Sequence, residues 1–385
     1  MPSSTPTVMF VAGDPSGDEH ASRIVAQLKS INPEIECTGI GGPLMQKQGL
    51  KALMPFAPFN RMGVGEVLAN LGFFIGAKKF LASYMKTNCP SLIVLVDYAG
   101  FNTQILKIAH KLGIASLWYI APKVWAWKKK RAAILGKFAD TVATILPFEP
   151  KWFEGYNAHV AYVGNPCVED LLRKQKTISH KLKTGRFLDN ESPWKIAIVP
   201  GSRPQEIARI LPSMANAAKI LAEKYPATFR ISVYRGLDRE LFAPYLKENE
   251  FVEHKGDFKE LLQWADIGMV TSGTATLQAA LMGLPHVLVY KMSLINELAF
   301  NWVVRIKYIG LPNIIAGREI IKECIQKQAD PLPLSQEIAR FIEDQEYYDS
   351  TCSELENLRK ILGAKKPSEE VVNLILERIS IRKAG

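Results

Sequence analysis

The sequence predicts an α/β protein made of two doubly wound, Rossmann-like domains that face a cleft. Apolar segments without polar alternation, such as residues 92–97, are separated by amphipathic helical segments, as in a parallel sheet covered on both faces. This alternation begins again after a polar, charged stretch at residues 174–192. The chain has 385 residues, more than one hydrophobic core usually covers. Domains are therefore expected at residues 1–175 and 190–362.

Each strand is predicted from a short apolar run bounded by turn residues, and each helix from apolar residues three or four apart. The predicted strands are residues 8–12, 35–41, 92–97, 115–120, 141–146, 159–163, 196–199, 229–233, 267–270 and 287–290. The predicted helices are residues 17–30, 205–224, 258–265, 296–307, 334–343, 348–362 and 368–381. The last helical segment, about residues 365–385, is expected to pack back on the first domain or on a partner subunit.

Composition predicts a soluble globular protein that meets acidic partners. Hydrophobic residues make up 48% of the chain and charged residues 22%, as in globular domains. We expect neither a secretory signal nor a membrane span, because the apolar runs are too short. The five dispersed cysteines and six scattered histidines indicate a reducing compartment and no metal site. The net charge of +10 favours nucleic acid, anionic lipid or phosphorylated metabolites as partners.

Nucleic acid is the least favoured of these partners. The sequence has one dense basic run, residues 128–131, whereas nucleic-acid-binding proteins usually show several such clusters and a recognition module. The first βα loop is glycine-rich but lacks the GxGxxG spacing of dinucleotide sites. We therefore expect no nucleic acid partner and no cofactor.

Two turns in the second half are predicted to bind phosphate groups. Each follows an apolar strand and opens a helix, so that backbone N–H groups lie open to an anion. A guanidinium in one of them can hold a diphosphate in a bidentate manner. An ordinary capped βα turn and a surface arginine are the alternative interpretation. The residues concerned are Gly201, Ser202, Arg203, Ser272, Gly273, Thr274 and Thr276.

Two strand ends in the first half carry carboxylates. Asp97 ends an apolar strand, at the edge where open α/β sheets bind ligands, and partial burial would raise its pKa towards that of a general base. Asp14, Ser16 and Gly17 lie in the first βα loop at an open helix start. The alternatives are that Asp97 caps the next turn and that Ser16 is only a helix cap.

Residues 62–85 fit neither half's pattern. Apolar residues recur at helical spacing with few charges and with flanking lysines, as in a helix at a membrane interface or a wall that binds acyl chains. A plain core helix is the alternative. The candidate contacts are Val67, Leu68, Leu71, Phe73, Phe74 and Phe80.

Two doubly wound halves around a cleft are typical of the glycosyltransferase B fold, with a Rossmann dehydrogenase as the alternative. Several motifs, in order along nearly the whole chain, then identify it as similar to lipid-A-disaccharide synthases, glycosyltransferase family 19. They are AGDPSGD (12–18), GIGGPLM (39–45), MGVGEVL (62–68), VDYAGFN (96–102), APKVWAW (121–127), LPFEPKWF (146–153), PGSRPQE (200–206), SGTATLQ (272–278) and LPNIIAGRE (311–319).

The resemblance implies a reaction and its partners. An acylated glucosamine would pass from UDP-2,3-diacylglucosamine to 2,3-diacylglucosamine 1-phosphate, with inversion, giving the β-1,6-linked disaccharide phosphate and UDP. The first domain would serve the acceptor and membrane side and the second the UDP-sugar donor. The family needs no metal, binds an anionic membrane surface peripherally on the cytoplasmic face of the inner membrane, and forms homodimers with exchanged C-terminal segments.

The resemblance also implies residue roles. Asp97 would be the catalytic base and Arg203 the diphosphate contact. Asn313 and residues 272–276 would contact the donor phosphates or uridine, and Gln278 the ribose, while Asp14 and Ser16 would lie on the acceptor side. The sequence departs from the family where Gln278 replaces a usual Glu, Gly100 a usual Asp, Asn165 a usual His and Asp14 a commoner Glu.

Three alternatives remain open from the sequence. Another UDP-sugar enzyme of the same fold, either an epimerase or a lipid-linked sugar transferase, would differ in its acceptor. A catalytically weak nucleotide-sugar-binding or scaffold protein is suggested by Gln278 and Gly100. An NAD-dependent dehydrogenase ranks last because its cofactor fingerprint is missing.

Overall fold

A computed structural model describes residues 5–59, 71–125, 129–173, 187, 192–234, 237–248, 251–292 and 307–384. The chain forms two compact units. Unit 1 comprises Met1–Glu169 together with Ala364–Gly385, and unit 2 comprises Asp170–Gly363. Both are α/β units with parallel sheets, which confirms the predicted fold class.

The sheet of unit 1 contains seven parallel strands among the described residues, in the order β3-β2-β1-β4-β5-β6-β7. The strands are β1 (Thr7–Ala12), β2 (Glu36–Ile40), β3 (Lys51–Ala52), β4 (Leu92–Val96), β5 (Ser116–Tyr119), β6 (Thr141–Thr144) and β7 (His159–Tyr162). Helices α1 to α6 are Pro15–Ile31, Pro43–Lys47, Leu71–Asn88, Ala99–Lys111, Lys129–Phe138 and Pro166–Arg173.

The sheet of unit 2 contains six parallel strands among the described residues, in the order β10-β9-β8-β11-β12-β13. They are β8 (Trp194–Val199), β9 (Ala227–Ser232), β10 (Val252–His254), β11 (Ile267–Thr271), β12 (His286–Tyr290) and β13 (Glu323–Ile325). Helices α7 to α13 are Pro204–Lys224, Ala243–Glu248, Phe258–Trp264, Thr274–Leu281, Leu311–Ala316, Pro331–Glu343 and Gln345–Leu362. The last helix, α14 (Pro367–Ala384), belongs to unit 1.

The apolar strands of unit 1 are buried on both faces, as their unalternating sequences predict. Val8 and Phe10 of β1 belong to one core cluster. Met9 and Val11, which point the other way, belong to a second. Unit 2 is built around its own core, with α7 and α12 packed beside each other.

The last helix, α14, packs on unit 1 of its own chain. Val371, Val372 and Ile375 are buried in the same core cluster as the inward residues of α1. The buried Glu169 accepts a hydrogen bond of 3.1 Å from the Ser368 N–H at the start of α14. Helix α14 is therefore part of the core of unit 1.

Several elements differ from the sequence prediction. Helix α1 begins at Pro15 because Asp14 caps it. The sequence did not predict strands β3, β10 and β13 or helices α2, α4, α5, α6, α8 and α11. The helix expected at residues 296–307 lies almost wholly outside the described residues. None of the described helices combines the length and apolar character needed to cross a membrane.

Candidate active site

Each sheet has one topological switch point, and candidate residues lie at both. In unit 1, β1 pairs with β2 on one side and with β4 on the other, so connections leave in opposite directions. Asp14 and Asp97 follow the carboxyl ends of β1 and β4. In unit 2 the same relation holds for β8 and β11, which lead into the turns at Gly201 and Ser272. Ligands of open α/β sheets bind at such points.

Asp97 occupies a strained backbone position directly after β4. Its φ is +43° and that of Tyr98 is +46°, so two consecutive non-glycine residues are left-handed. Such residues are uncommon and cost free energy, and they concentrate at functional sites. The Asp97 N–H donates to the Tyr119 carbonyl at 2.9 Å, which keeps Asp97 in line with β5. Its side chain is half-buried.

The buried side chain of Asn102 ties these backbone segments together. Its Nδ2 donates to the carbonyl oxygens of Asp97 at 2.9 Å, of Val96 at 3.2 Å and of Val11 at 3.2 Å. These acceptors lie at the carboxyl ends of β1 and β4, the two strands that flank the switch point. Asn102 therefore holds the left-handed turn that aims the Asp97 side chain.

The side chain of Tyr98 is held by contacts with Phe59 and Gly13. Its hydroxyl donates to the Phe59 carbonyl at 2.9 Å. A Cβ at Gly13 would lie 2.6 Å from the Tyr98 ring, so the ring rests directly on the first βα loop and requires glycine there. This contact joins the β1 loop to the turn after β4.

The electrostatic environment of Asp97 makes it a weaker acid than usual. Burial, and secondly the charge of Asp14, raise its pKa to about 6, although Lys123, the Tyr98 N–H and Arg131 act in the opposite direction. A carboxylate with such a pKa is ionised at neutral pH and still has appreciable basicity.

In the first βα loop, the side chain of Asp14 is hydrogen-bonded to the backbone, whereas that of Ser16 is exposed. Asp14, not Ser16, caps α1, because its Oδ1 accepts from the Gly17 N–H at 2.5 Å. This corrects the alternative in which Ser16 is the cap and leaves the Ser16 side chain exposed. The buried Asp18 caps α2 by accepting from the N–H groups of Leu44 and Met45, each at 3.0 Å.

In unit 2 the turn after β8 is open. Gly201 has a φ of +115°, and a Cβ there would come within 3.3 Å of Thr271 and Glu206. Arg203 precedes α7, and among the described residues no side chain caps that helix. The Arg203 guanidinium is exposed and pairs with Glu206 at 3.1 Å. Since exposed pairs contribute little free energy, an incoming anion can replace Glu206.

The turn after β11 is also open. Gly273, with a φ of +141°, precedes α10, and no described side chain caps this helix. A Cβ on Gly273 would meet no heavy atom within 4 Å. Ser272 is half-buried, Thr274 is exposed and Gln278, one turn into the helix, is half-buried. The Ser272 N–H donates to the Val289 carbonyl at 3.2 Å, and the N–H groups that follow it at the helix start are accessible to an anion.

Two candidate donor contacts, Thr276 and Asn313, are hydrogen-bonded within unit 2. Thr276 is fully buried and its hydroxyl donates to the Gly273 carbonyl at 2.8 Å, so it holds the turn. Asn313 is also fully buried. Its amide donates to the Ile321 carbonyl and to Glu323, and its oxygen accepts from the N–H groups of Ile320 and Ile321. Both polar atoms of the Asn313 side chain thus have partners in unit 2, and its contact with the donor stays a prediction.

The apolar segment divides into core and surface residues. Phe73 and Phe74 of α3 are half-buried and pack edge-on against the buried Phe59, which supports the core-helix alternative for this pair, and their membrane contact stays a prediction. Leu71 and Phe80 are 52% and 45% exposed. Val67 and Leu68 lie outside the described residues.

Sequence reasoning missed several residues in the segments that follow β4, β5 and β6. Asn102 lies in the VDYAGFN motif, but its spacing from Asp97 did not predict its hydrogen bonds to the carbonyl groups of Val11, Val96 and Asp97. Glu149 is buried, and burial raises its pKa to about 7 although it accepts hydrogen bonds from the Trp125 indole and two backbone N–H groups. The positive charges of Lys123 and Arg131 lower the pKa of Asp97. The described residues contain no group of three or more His, Cys, Asp or Glu arranged to hold a metal ion.

A family model and individual relatives both match this chain to lipid-A-disaccharide synthases. The family model described as lipid-A-disaccharide synthetase matches residues 8–372. A lipid-A-disaccharide synthase of Geobacter metallireducens is 32% identical over 98% of this chain and 98% of its own length.

Two solved structures share the fold. The UDP-GlcNAc 2-epimerase of Neisseria meningitidis bound to UDP-GlcNAc has a TM-score of 0.62 at 14% identity, covering 96% of this chain and 99% of its own. The calicheamicin glycosyltransferase CalG4 has a TM-score of 0.61 at 14% identity, covering 99% and 100%. The two parallel α/β units are thus those of the glycosyltransferase B fold.

Proposed function

Because the chain belongs to the lipid-A-disaccharide synthase family, and is therefore a glycosyltransferase that uses a UDP-sugar donor, we propose how its residues perform the transfer. The acceptor is 2,3-diacylglucosamine 1-phosphate, whose 6-hydroxyl attacks the anomeric carbon of UDP-2,3-diacylglucosamine. Unit 1 binds the acceptor and unit 2 the donor.

Asp97 is the general base in this proposal. Its carboxylate takes the proton of the acceptor's 6-hydroxyl as the oxygen forms a bond to the anomeric carbon and the bond from that carbon to the UDP oxygen breaks. Attack from the face opposite UDP inverts the configuration from α to β. The observation that carries this assignment is the half-buried Asp97 side chain at the β1–β4 switch point, with its pKa raised by burial to about 6.

The turns of unit 2 stabilise the leaving UDP. Negative charge grows on the diphosphate as the glycosidic bond breaks, and backbone N–H groups with a guanidinium can compensate it. The open turns at Gly201–Ser202 and Ser272–Thr274, together with the exposed Arg203, provide these groups. Gln278 binds the ribose hydroxyls through its amide, and this bond is weaker than one to the carboxylate usual in the family.

The acceptor side of unit 1 includes the loop after β1. Ser16 presents an exposed hydroxyl at the start of α1. A Cβ on Gly17 would lie 3.0 Å from the Asp14 carboxylate that caps this helix. Asp14 has two roles in this proposal. It caps α1, and its negative charge raises the pKa of Asp97.

We assign α3 as the contact with an anionic membrane surface on the cytoplasmic face of the inner membrane. Leu71, Ile75 and Phe80 are exposed apolar side chains on this helix, and Lys79 and Lys86 are exposed cations on it. Apolar side chains combined with lysines are typical of interfacial helices. Co-sedimentation with anionic vesicles tests this: Phe80→Gln should reduce binding, and equal binding by both proteins would contradict it.

A homodimer is the proposed assembly, on the basis of the family resemblance. Since α14 packs on its own unit 1, exchange of this helix would have to replace an existing intramolecular contact. Light scattering at several protein concentrations distinguishes the dimer from a monomer, and a single monomeric mass at all concentrations would overturn the proposal.

The reaction is tested with purified protein and both lipid substrates, with UDP release and disaccharide formation measured together. Equal molar amounts of UDP and disaccharide 1-phosphate are expected. UDP release without a disaccharide would indicate a different acceptor. Conversion of the donor into an isomer would indicate an epimerase.

A further inference from the structure

Asp97, Lys123 and Glu149 follow three adjacent strands of unit 1. Strand β4 pairs with β5, and β5 pairs with β6, all in parallel. The segments after these strands therefore leave from the same edge of the sheet. Lys123 lies in the middle segment, with a carboxylate following the strand on either side.

The segment that carries Lys123 is held in place on both sides of the lysine. The Ile120 N–H donates to the Ala143 carbonyl of β6 at 3.1 Å, and the Trp118 indole donates to the Ile120 carbonyl at 3.1 Å. Ala121 and Val124 are buried, whereas Lys123 is exposed. A fixed backbone thus presents a solvent-accessible ammonium group.

The carboxylate of Glu149 accepts hydrogen bonds from two neighbouring segments. It accepts hydrogen bonds from the Trp125 indole at 3.2 Å and from the N–H groups of Ile145 and Leu146 at 3.1 and 3.0 Å. It therefore holds the segment after β5 to the segment after β6. Lys123 lowers the pKa of Glu149 through its charge but forms no ion pair with it within 4.0 Å.

Arg131, in the first turn of α5, supplies a second cation. The charges of both Lys123 and Arg131 lower the pKa of Asp97, against the larger effect of burial. In the part of the chain that the structure describes, neither cation has a carboxylate within ion-pair distance, whereas Arg203 and eleven other basic side chains do. Two cations without such partners thus follow β5, the strand that pairs with β4, which leads to the proposed base.

We propose that Lys123 and Arg131 form a subsite for the phosphate monoester of the acceptor. This inference rests on the proposed function, because it assigns the 1-phosphate of that acceptor to particular residues. A phosphate monoester carries about 1.5 to 2 negative charges at pH 7, which two cations match. Lysine binds such a group as a point charge and arginine through paired N–H donors. Phosphate bound there holds the sugar in one orientation relative to Asp97.

The test compares two acceptors, 2,3-diacylglucosamine 1-phosphate and the same lipid without its phosphate. For the wild-type protein, kcat/KM should be higher with the phosphorylated acceptor. In Lys123→Gln and Arg131→Gln this preference should fall roughly ten- to hundredfold, the range for one hydrogen bond to a charged group. The KM for the UDP-sugar should change little, and Lys123→Arg should retain most of the preference.

Lys111→Gln is the matched control. Lys111 is an exposed lysine at the end of α4, just before β5 and hence at the opposite edge of the sheet. This variant should keep the wild-type preference for the phosphorylated acceptor. It removes the same charge from unit 1, so it separates a local contact from an effect of net charge.

Each other outcome has a distinct meaning. If wild-type protein turns over neither acceptor, the proposed function fails before the subsite is tested. If wild-type protein forms the disaccharide and the Lys123 and Arg131 variants keep the full preference, only the phosphate subsite is overturned. If the variants lose activity equally with both acceptors and their pH profiles shift, the cations act on Asp97 and not on phosphate, which also overturns the subsite.

Discussion

The side-chain amide of Asn102 donates a 2.9 Å hydrogen bond to the backbone carbonyl of Asp97, and so fixes the turn that carries the proposed base. The same amide bonds the carbonyls of Val96 and Val11. One buried side chain therefore links the carboxylate's backbone to both strands of the switch point. Asn102 is a positioning residue, because it acts through Asp97.

Replacing Asn102 should impair catalysis more than substrate binding. Asn102→Asp keeps the shape but replaces a donor by an acceptor that faces three carbonyl oxygens. We expect kcat to fall roughly 10- to 100-fold, as in other displacements of positioned catalytic groups, with UDP affinity unchanged. The free energy of unfolding should fall by about 1–3 kcal/mol because buried acceptors lose their donor. Steady-state kinetics and urea unfolding measure both. A folded variant with wild-type kcat would contradict the positioning role.

The stability of the protein should depend on pH through Asp97. Burial raises its pKa from 3.8 to about 6, so the folded state binds this proton more tightly than the unfolded state. Asp97 therefore lowers the free energy of unfolding as pH rises from about 4 to about 6, and the loss persists above that. Asp97→Asn removes the loss. At pH 8 it should be more stable than wild type by about 1–3 kcal/mol.

The same comparison below the unfolded pKa provides the control. Near pH 3 Asp97 is protonated in both states, so wild type and Asp97→Asn should unfold alike. Thermal or urea unfolding at the two pH values measures the difference. A variant that is less stable than wild type at pH 8 would show that the ionised carboxylate is stabilised by its surroundings.

Arg203→Ala should weaken UDP binding and leave folding almost unchanged. The guanidinium is exposed and paired only with Glu206 among the described residues, so the free energy of unfolding should change by less than about 1 kcal/mol. The loss of a charged contact with the diphosphate should weaken UDP binding roughly 10- to 100-fold. Arg239→Ala, which removes another exposed arginine paired with a glutamate in unit 2, should bind UDP like wild type. If calorimetry gave the same affinity for UDP in both variants, Arg203 would not be a contact of the donor.

Asn313→Ala should destabilise unit 2. The side chain is buried and its oxygen accepts from the N–H groups of Ile320 and Ile321, which alanine would leave unsatisfied. We expect a loss of roughly 2–4 kcal/mol, since each unsatisfied buried group costs about 1–3 kcal/mol. Urea unfolding measures the loss. If the variant unfolds like wild type but no longer binds UDP, Asn313 contacts the donor after all.

The sequence predicts the main features of the fold because they depend on local patterns. The apolar runs that form β1, β4, β8 and β11 are buried on both faces, and this is what an unalternating pattern indicates. The glycine-containing turns after β8 and β11 are open at helix starts, as their small side chains predict. These features follow from spacing within one segment, so no knowledge of distant contacts is needed.

Features that depend on distant contacts could not be predicted. Asn313 resembled a polar ligand contact, but its partners eight and ten residues away, Ile321 and Glu323, take up its hydrogen bonds. Asn102 is bonded to Val11, 91 residues earlier in the chain. Lys123 and Arg131, whose charges act on Asp97, follow β5, whereas Asp97 follows β4. Gly100, where the family usually has Asp, is exposed, and a Cβ added there would meet no heavy atom within 4 Å, so packing does not explain the departure.

The central claim, that Asp97 of unit 1 is the base while unit 2 holds the nucleotide, is tested most directly by one pair of measurements on Asp97→Asn. We predict that kcat for disaccharide formation falls roughly 10²- to 10⁴-fold, the usual contribution of a general base, while the dissociation constant for UDP stays within about twofold of wild type. A variant that keeps wild-type kcat would contradict the claim.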